Sequence, residues 1–253
     1  MPVKKSTPSY TAPALSRGLE ILEYLANAAG PVSQVEIARD LGRKPGEQFR
    51  FLQVLESEGY LTKDSAGGYR LTLKLFRLAA MPGPMQLLVD SARSPMRGYS
   101  HAHGQECHLS VLEDGRLVVI ARESGTEPIG LEVRSGSFHD PRTTTSGCLL
   151  LANLPADERD WQLQRAAEHF PTSSDSYADS MEQALPDNCD FIEAANGRLS
   201  GIRDIAVYLP GGASCPSAVL ASSCLLAEGE VVQAGWKKSL KDAGSRISSL
   251  GTA

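Results

Sequence analysis

The chain lacks the long apolar runs of a membrane protein. None of its apolar stretches reaches the roughly 18 residues that a membrane span requires. The segment before Thr11 carries Lys4 and Lys5 followed by Ser, Thr and Pro, so it lacks the apolar core of a secretory signal. We therefore expect a cytoplasmic protein that does not bind a membrane.

Cysteine is too scarce and too scattered for a disulfide framework. The five cysteines are odd in number and contain no Cys-x-x-Cys pair, which favours reduced thiols that serve as small buried apolar residues. A Gly-x-Ser-x-Gly nucleophile motif is also missing, which argues against hydrolytic catalysis. We predict no catalytic residue and no cofactor.

The chain has fewer positive than negative side chains, but the N-terminal third carries an excess of positive ones. The net charge of the chain is −5. In residues 1–80, five Lys and six Arg oppose eight Asp and Glu, a net of +3, which leaves −8 for the remainder. A basic head on an acidic body is typical of a DNA-binding module fused to a second module of another kind.

Three helical patterns and a hairpin pattern follow one another in residues 14–80. The first helix pattern ends at Gly30-Pro31. Ser33 and Glu36 form a capping box for the second, and the third follows after a short turn. Two short strand patterns then flank a Gly-rich turn. This order predicts a winged helix-turn-helix, preceded by a flexible arm over residues 1–13.

The third helix pattern, residues 45–58, is the one expected to enter the major groove of DNA. In this phase Phe49 and Leu52 face the core. Gln48 and Arg50 point outward, where they can pair with adenine and with guanine or a phosphate. Residues near helix starts and in the wing suit the flanking phosphates. The predicted DNA-binding residues are Arg17, Ser33, Gln34, Lys44, Gly46, Glu47, Gln48, Arg50, Lys63, Tyr69 and Arg70.

A second module is predicted over residues 104–253, after a linker and connecting helix over residues 81–103. Its strand patterns cover residues 107–112, 116–122, 129–133, 202–209 and 217–225. Its helix patterns cover residues 146–153, 155–169 and 228–250. Antiparallel strands with helices on one side predict an α+β fold, in which the winged helix-turn-helix is followed by an α/β sensor domain.

Five segments carry a resemblance to a known family, namely residues 14–22, 33–60, 104–111, 144–152 and 201–206. Together they resemble the IclR (isocitrate lyase regulator) family of bacterial transcription factors over nearly the whole chain. The resemblance implies a GAF-like sensor domain. It also implies a small organic effector, commonly a carboxylic acid, an aromatic acid or a sugar-acid derivative.

The chain departs from the family pattern at two positions. It has Gly46-Glu47 where the family often has a Ser-Thr pair at the start of the recognition helix. An acidic Glu47 repels phosphate, although it could read a cytosine amino group or tether Arg50. The chain also has Asp204 where many members have Cys, which implies a different effector chemistry.

The candidate effector pocket combines a helix start with two late strands. Thr145 and Ser146 open a predicted helix, where free amides and the helix dipole favour an anionic or polar group, although capping explains these side chains equally well. Strand alternation and the family match place Asp204 and Ser223 toward the pocket. The predicted effector-binding residues are Cys107, His108, Arg134, Thr145, Ser146, Gly147, Asp204, Ala221 and Ser223.

Asp204 discriminates between effector classes. A carboxylate favours hydroxyls or amines and disfavours an acidic effector, unless Arg134 or Arg203 pairs with it. A surface ion pair is the other explanation for this residue.

A dense run of potential metal ligands lies between His101 and His108. His101 and His103 would lie about 200° apart on a helix, and Cys107 would point away from His108 on a strand. We therefore predict no metal, and a His or Cys that lines the effector pocket.

Two functions remain open for the whole chain. The leading one is a regulator that binds a double-stranded DNA operator as a homodimer or homotetramer and responds to a small organic effector. The alternatives are a small-molecule-binding protein or enzyme that uses the winged helix only for assembly, and a three-helix protein-interaction module.

Overall fold

The computed structural model describes residues 12–81, 83–128, 130–171, 189–196, 199–212, 215–226 and 230–251. Contacts between residues divide the chain into two compact units, Met1–Met81 and Pro82–Ala253. The arm predicted over residues 1–13 falls outside the described residues as far as residue 11, and a helix begins at Pro13.

The first unit is built from helices and one hairpin. Its elements are α1 (Pro13–Ala26), α2 (Gln34–Asp40), α3 (Pro45–Ser57), β1 (Leu61–Lys63), β2 (Tyr69–Leu71) and α4 (Lys74–Ala79). The two strands pair antiparallel, with Leu61 opposite Leu71. The buried core consists of Ile21, Leu25, Ile37, Leu52, Leu61 and Tyr69. The predicted order of three helices followed by a wing is confirmed.

Local side-chain bonds fix the start of α2 and the turn of the wing. The Ser33 hydroxyl accepts from the Glu36 amide at 3.3 Å, and the Glu36 carboxylate accepts from the Ser33 amide at 3.0 Å. The predicted capping box is therefore present. In the wing turn, Asp64 accepts from the amides of Ala66 and Gly68 at 3.0 and 2.7 Å. A carboxylate that bonds to its own turn stabilises a hairpin of this kind.

The second unit is a sheet covered by helices. Its elements are α5 (Pro84–His103), β3 (Cys107–Glu113), β4 (Arg116–Glu123), β5 (Phe138–His139), a 3-10 turn (Pro141–Thr143), α6 (Thr145–Ala152), α7 (Ala156–His169), β6 (Phe191–Ala195), β7 (Ile202–Leu209), β8 (Ala218–Leu225) and α8 (Ala234–Gly251). The six strands lie in the order β5-β4-β3-β8-β7-β6, and all neighbours are antiparallel. Together, the two units confirm the predicted α+β class.

Helices cover both faces of this sheet. Leu109 and Ile205 belong to an apolar core shared with α5 and α8, whereas Ala206 and Val219 belong to a second core shared with α6. The expectation of helices on one side is therefore wrong. The strand β7 shows why both faces need cover. Its successive residues Ile205 and Ala206 point to opposite faces of the sheet, and both are buried.

Two predicted elements differ from the structure. Residues 130–133 are irregular instead of a strand, and the edge of β4 is paired by the short β5, at Leu117 and Val118. Residue 129, the first of the predicted strand, lies outside the described residues. The last helix begins at Ala234 instead of residue 228, since Val232 is buried in the core ahead of the helix.

Candidate functional site

The start of α3 offers polar groups to solvent. The helix has proline at its first position. Lys44, Gly46, Glu47 and Arg50 are exposed around this start. Neither Lys44 nor Arg50 forms an ion pair with any described residue. Arg50 can therefore bond to an anion or a base edge outside the protein.

Gln48 does not point outward as predicted. It is 1% exposed, whereas Phe49, which was expected in the core, is 41% exposed. The buried stripe of α3 runs through Gln48, Leu52 and Leu55, at the i, i+4 and i+7 positions of one helix face. The prediction that Gln48 reads adenine is contradicted by this burial. The phase was misjudged because a polar residue occupies a core position and an aromatic one faces solvent.

Gln48→Met should stabilise the protein. The two polar atoms of the Gln48 side-chain amide are buried and have no hydrogen-bond partner among the described residues. Since an unsatisfied buried polar group costs about 1–3 kcal/mol, we expect the free energy of unfolding to rise by about 1–2 kcal/mol. Urea denaturation measures this change, with the exposed Gln53→Met on the same helix as the matched control. A less stable Gln48→Met would show that the amide is satisfied.

The side chains of the three predicted wing residues differ in their exposure to solvent. Arg70 is exposed and forms no ion pair with a described residue. Lys63 is exposed, pairs with Glu56 at 3.1 Å and lies 4.8 Å from the centre of the Tyr69 ring. Tyr69 is 1% exposed, and its backbone bonds to Val32. The prediction that the Tyr69 side chain contacts DNA is therefore contradicted, because that ring is part of the core.

The remaining predicted DNA contacts are half-buried. The guanidinium of Arg17 lies 5.7 Å from the centre of the Phe51 ring. The Ser33 hydroxyl donates to Glu36 at 2.7 Å, and Gln34 is the first residue of α2. The predicted residues that the structure leaves exposed are Lys44, Gly46, Glu47, Arg50, Lys63 and Arg70.

A cavity of about 170 Å³ opens on the α6 face of the sheet in the second unit. Its apolar lining includes Leu117, Val119, Val133, Leu199 and Ala221. Its polar lining includes His108, Thr145, Ser146, Asn196, Asp204 and Ser223. The cavity therefore has an apolar wall and a wall of hydrogen-bonding groups, which is how small-molecule sites are usually built.

Asp204 organises the polar wall. It is 7% exposed and accepts hydrogen bonds from Thr145, Ser223 and Asn196 at 2.9, 2.8 and 3.0 Å. Ser223 lies directly opposite Asp204 in the register of β7 and β8. No Lys or Arg of the described residues forms an ion pair with this carboxylate. Because only neutral groups satisfy it, Asp204 favours a ligand that donates hydrogen bonds.

His108 lies on the same wall and bonds to a second carboxylate. Its Nδ1 is 3.0 Å from Oε1 of Glu106, and both side chains are almost fully buried. Burial alone lowers the pKa of His108, but the charge and hydrogen bond of Glu106, followed by the charge of Asp204, outweigh it. The net effect is a raised pKa, which favours an imidazolium that donates to Glu106.

The raised pKa of His108 should make stability depend on pH. A group whose pKa is higher in the folded state contributes stability that is fully present below its ordinary value of 6.5 and is lost as the pH rises through the folded value. The free energy of unfolding of the wild type, relative to His108→Gln, should therefore fall as the pH increases above 6.5. Urea unfolding of both proteins at a series of pH values measures it. A difference that stays constant or grows with pH would contradict the raised pKa.

Six of the predicted effector residues line the cavity, namely His108, Thr145, Ser146, Asp204, Ala221 and Ser223. Cys107 does not, because it points to the opposite face, where its thiol donates to the Met96 carbonyl at 3.5 Å and burial raises its pKa. Arg134 is exposed and lies outside the lining. Gly147 packs against Pro141, since an added Cβ would lie 2.3 Å from the Pro141 backbone.

Neither Arg203 nor Arg134, the two suggested cationic partners of Asp204, pairs with it in the structure. Arg203 pairs with Glu193 at 3.1 Å, because neighbouring residues of a strand point to opposite faces. The Arg134 backbone carbonyl accepts from Ser137, and its side chain is not part of the cavity.

Sequence reasoning missed Asn196, which bonds to Asp204 from the end of β6. Asn196-Gly197 between two apolar runs favours a turn, but it does not predict which residues the two strands bring together. The pairing of Ala195 with Arg203 is what brings Asn196 near Asp204. Val133 and Leu199 had no comparable signal, because they reach the cavity from irregular segments.

Two observations concern the described part of the chain only. No three His, Cys, Asp or Glu side chains within it are grouped so that they could hold a metal ion. None of its helices combines the length and the apolar character needed to cross a membrane.

The sequence comparisons point to one family. Residues 14–65 match the model of the IclR helix-turn-helix domain. The chain is 28% identical over 165 residues to the HTH-type transcriptional regulator KdgR of Escherichia coli K12, an alignment that covers 63% of this chain and 62% of KdgR. It is 26% identical over 148 residues to the transcriptional repressor AllR of Klebsiella pneumoniae, covering 58% and 54% of the two chains. The matched region thus spans a little more than half of each of these relatives, both of which are named as regulators of transcription and not as enzymes.

Solved structures agree on the fold. An IclR homolog from Microbacterium hydrocarbonoxydans, complexed with 4-hydroxybenzoate, superposes with a TM-score of 0.72 at 18% identity and covers 94% of this chain and 99% of that one. The IclR protein of Thermotoga maritima gives a TM-score of 0.67 at 20% identity, with 94% and 98% coverage. At these identities the likeness shows the fold alone. The matched domain and the regulator homologues bear out the resemblance found in the sequence: the chain carries an IclR helix-turn-helix domain over residues 14–65 and is similar to HTH-type transcriptional regulators.

Proposed function

We propose that this protein is a transcription regulator that binds double-stranded DNA through α3 and responds to a small organic effector. The observation that carries the proposal is Arg50, which is exposed near the start of α3 and unpaired among the described residues. It lies in the segment that matches the IclR helix-turn-helix domain. An arginine at that place can make a bidentate bond to guanine or contact a phosphate.

The regulator would act in the cytoplasm as a homodimer or homotetramer. A helix-turn-helix reads only a few base pairs, so two copies on a palindromic operator give the affinity that one copy lacks. Lys44, Lys63 and Arg70 are exposed and suited to phosphates on either side of the reading helix.

The cavity beside Asp204 is the proposed effector site. Its volume of about 170 Å³ suits a ligand the size of a single ring, since a cavity of about 150 Å³ holds benzene. One solved homolog holds 4-hydroxybenzoate, a ligand of that size. We propose a carboxylic acid, an aromatic acid or a sugar-acid derivative with a hydroxyl group that donates to Asp204. The first turn of α6, with Thr145 and Ser146, would then face the acid group.

A salt titration of DNA binding tests the proposal. The full-length protein is titrated onto labelled duplex DNA by fluorescence anisotropy at several salt concentrations. We expect log K to fall linearly with log[salt], with a slope of about −0.9 for each phosphate contacted. Binding that is absent at low salt, or that ignores salt, would overturn the proposal.

A further inference from the structure

A second cleft lies next to the proposed effector cavity and shares Ser223 with it. Its volume is about 490 Å³. Three glutamates line it, Glu106, Glu127 and Glu132, and its described lining contains no Lys or Arg. The nearby cations are Arg122, which pairs with Glu132 at 2.8 Å, and His108, which bonds to Glu106. The three glutamates carry one negative charge more than Arg122 and a protonated His108 can balance, so the cleft is negative.

Glu106 is the decisive residue in this cleft. Its side chain is 2% exposed, and Oε1 bonds to His108. Its other oxygen, Oε2, is buried and has no hydrogen-bond partner among the described residues. A carboxylate oxygen in that position lacks the bonds that offset its loss of water. A donor from a ligand in the cleft would supply such a bond once the groups that cover Oε2 move aside.

The backbone holds Glu106 and Glu127 at one end of the cleft. The amides of Thr126 and Glu127 both donate to the Gly104 carbonyl, at 3.0 and 3.4 Å. A Cβ on Gly104 would lie 2.7 Å from Oε1 of Glu127, so the absence of a side chain there makes room for that carboxylate. Ser222 donates to the Glu106 carbonyl at 2.6 Å on the other side. The fold therefore places the backbones of Glu106 and Glu127 at the same end of the cleft, and the bond to His108 fixes the Glu106 carboxylate.

We propose that this cleft binds an organic ammonium group, with Glu106 as its buried partner and Glu127 as its partner at the rim. An ammonium brings three donors and a positive charge. These match the Oε2 atom of Glu106 and the Glu127 carboxylate, neither of which has a partner among the described residues. A bare metal ion does not fit, since the described residues group no three metal-ligating side chains. The site is additional to the effector cavity and does not depend on DNA binding.

The test uses the full-length protein and three four-carbon probes: 1,4-diaminobutane, 1,4-butanediol and succinate. Calorimetric titration at constant ionic strength measures their binding. We expect the diamine to bind, and the diol and the diacid to give no saturable heat. The diol isolates the effect of charge at equal length. Equal binding of the diamine and the diol, or preferred binding of succinate, would overturn the proposal.

Charge-neutral variants locate the binding. Glu106→Gln should weaken diamine binding about tenfold or more, the effect of losing a hydrogen bond to a charged group. Glu127→Gln, an exposed position that is not expected to affect folding, should weaken it severalfold and decides the question if Glu106→Gln fails to fold. The control Glu158→Gln removes the same charge from an exposed site on α7 and should change nothing. If Glu158→Gln lost as much diamine binding as the cleft variants, the diamine would be attracted by the overall negative charge of the protein. That result would contradict a specific site in the cleft.

Asp204→Asn separates this site from the effector cavity. It should leave diamine binding intact, because Asp204 lines the cavity and not the cleft. Loss of diamine binding in Asp204→Asn, with Glu106→Gln unaffected, would place the amine in the effector cavity and overturn the proposed cleft site.

Discussion

Arg50→Ala should weaken operator binding by about 1–3 kcal/mol, which is roughly 5- to 150-fold in affinity. The reason is the position of Arg50, exposed on α3 and without an ion pair among the described residues. Its removal therefore costs a contact to DNA and no ion pair or hydrogen bond among the described residues. The melting temperature should stay within the narrow range of ordinary surface substitutions.

Fluorescence anisotropy on an operator duplex measures this loss. Arg77→Ala is the matched control, because Arg77 is also exposed in the first unit but lies on α4 and not on the reading helix. We expect Arg77→Ala to bind with nearly wild-type affinity. Unchanged affinity in Arg50→Ala would mean that another face of the unit meets DNA.

Asp204→Ala should abolish most of the influence of the effector on DNA binding. Asp204 accepts bonds from Thr145, Ser223 and Asn196, so its removal takes away an acceptor that all three share and the negative charge of the polar wall. The coupling between effector and DNA is reciprocal, so DNA should also lose its influence on effector affinity. DNA affinity without effector should stay nearly intact, since Asp204 belongs to the second unit.

Milder variants separate this effect from unfolding. Asp204→Asn keeps the shape and one acceptor oxygen but replaces the other oxygen with an amide donor, and Ser223→Ala removes one donor to Asp204. Both should fold and show a partly reduced response. The effector used is the molecule that raises the melting temperature most in a metabolite screen. A normal response in all three variants would place the effector outside this cavity.

The elements that the sequence predicted well are those with local chemistry. The capping box of Ser33 and Glu36 is local, and so is the Asp114-Gly115 turn, whose two positive φ values of 47° and 71° suit a hairpin. The strand predicted over residues 202–209 has the same limits in the structure, Ile202–Leu209. Each of these elements depends on residues that are close in the sequence, so the pattern of residue types is enough to predict it.

The errors arise where tertiary packing decides. Nothing local marks Gln48 as buried, because its burial depends on how α3 sits against the rest of its unit. Arg203 is next to Asp204 in the sequence and was therefore suggested as its partner. The two side chains point to opposite faces of β7, and Arg203 pairs with Glu193 instead. Asn196 reaches Asp204 only through the β6–β7 pairing. The candidate cavity could be predicted only in its central strand residues, since its rim comes from segments that are distant in sequence.

Selection of bound sequences from a random duplex library tests whether the protein reads DNA sequence through Arg50. The full-length protein and Arg50→Ala are each taken through the same rounds of selection and sequencing. We expect the wild type to enrich one palindromic sequence, Arg50→Ala to lose preference at one symmetric pair of positions, and the effector to change the yield of bound DNA. No enriched sequence in the wild type, or the same sequence with equal enrichment in both proteins, would contradict it.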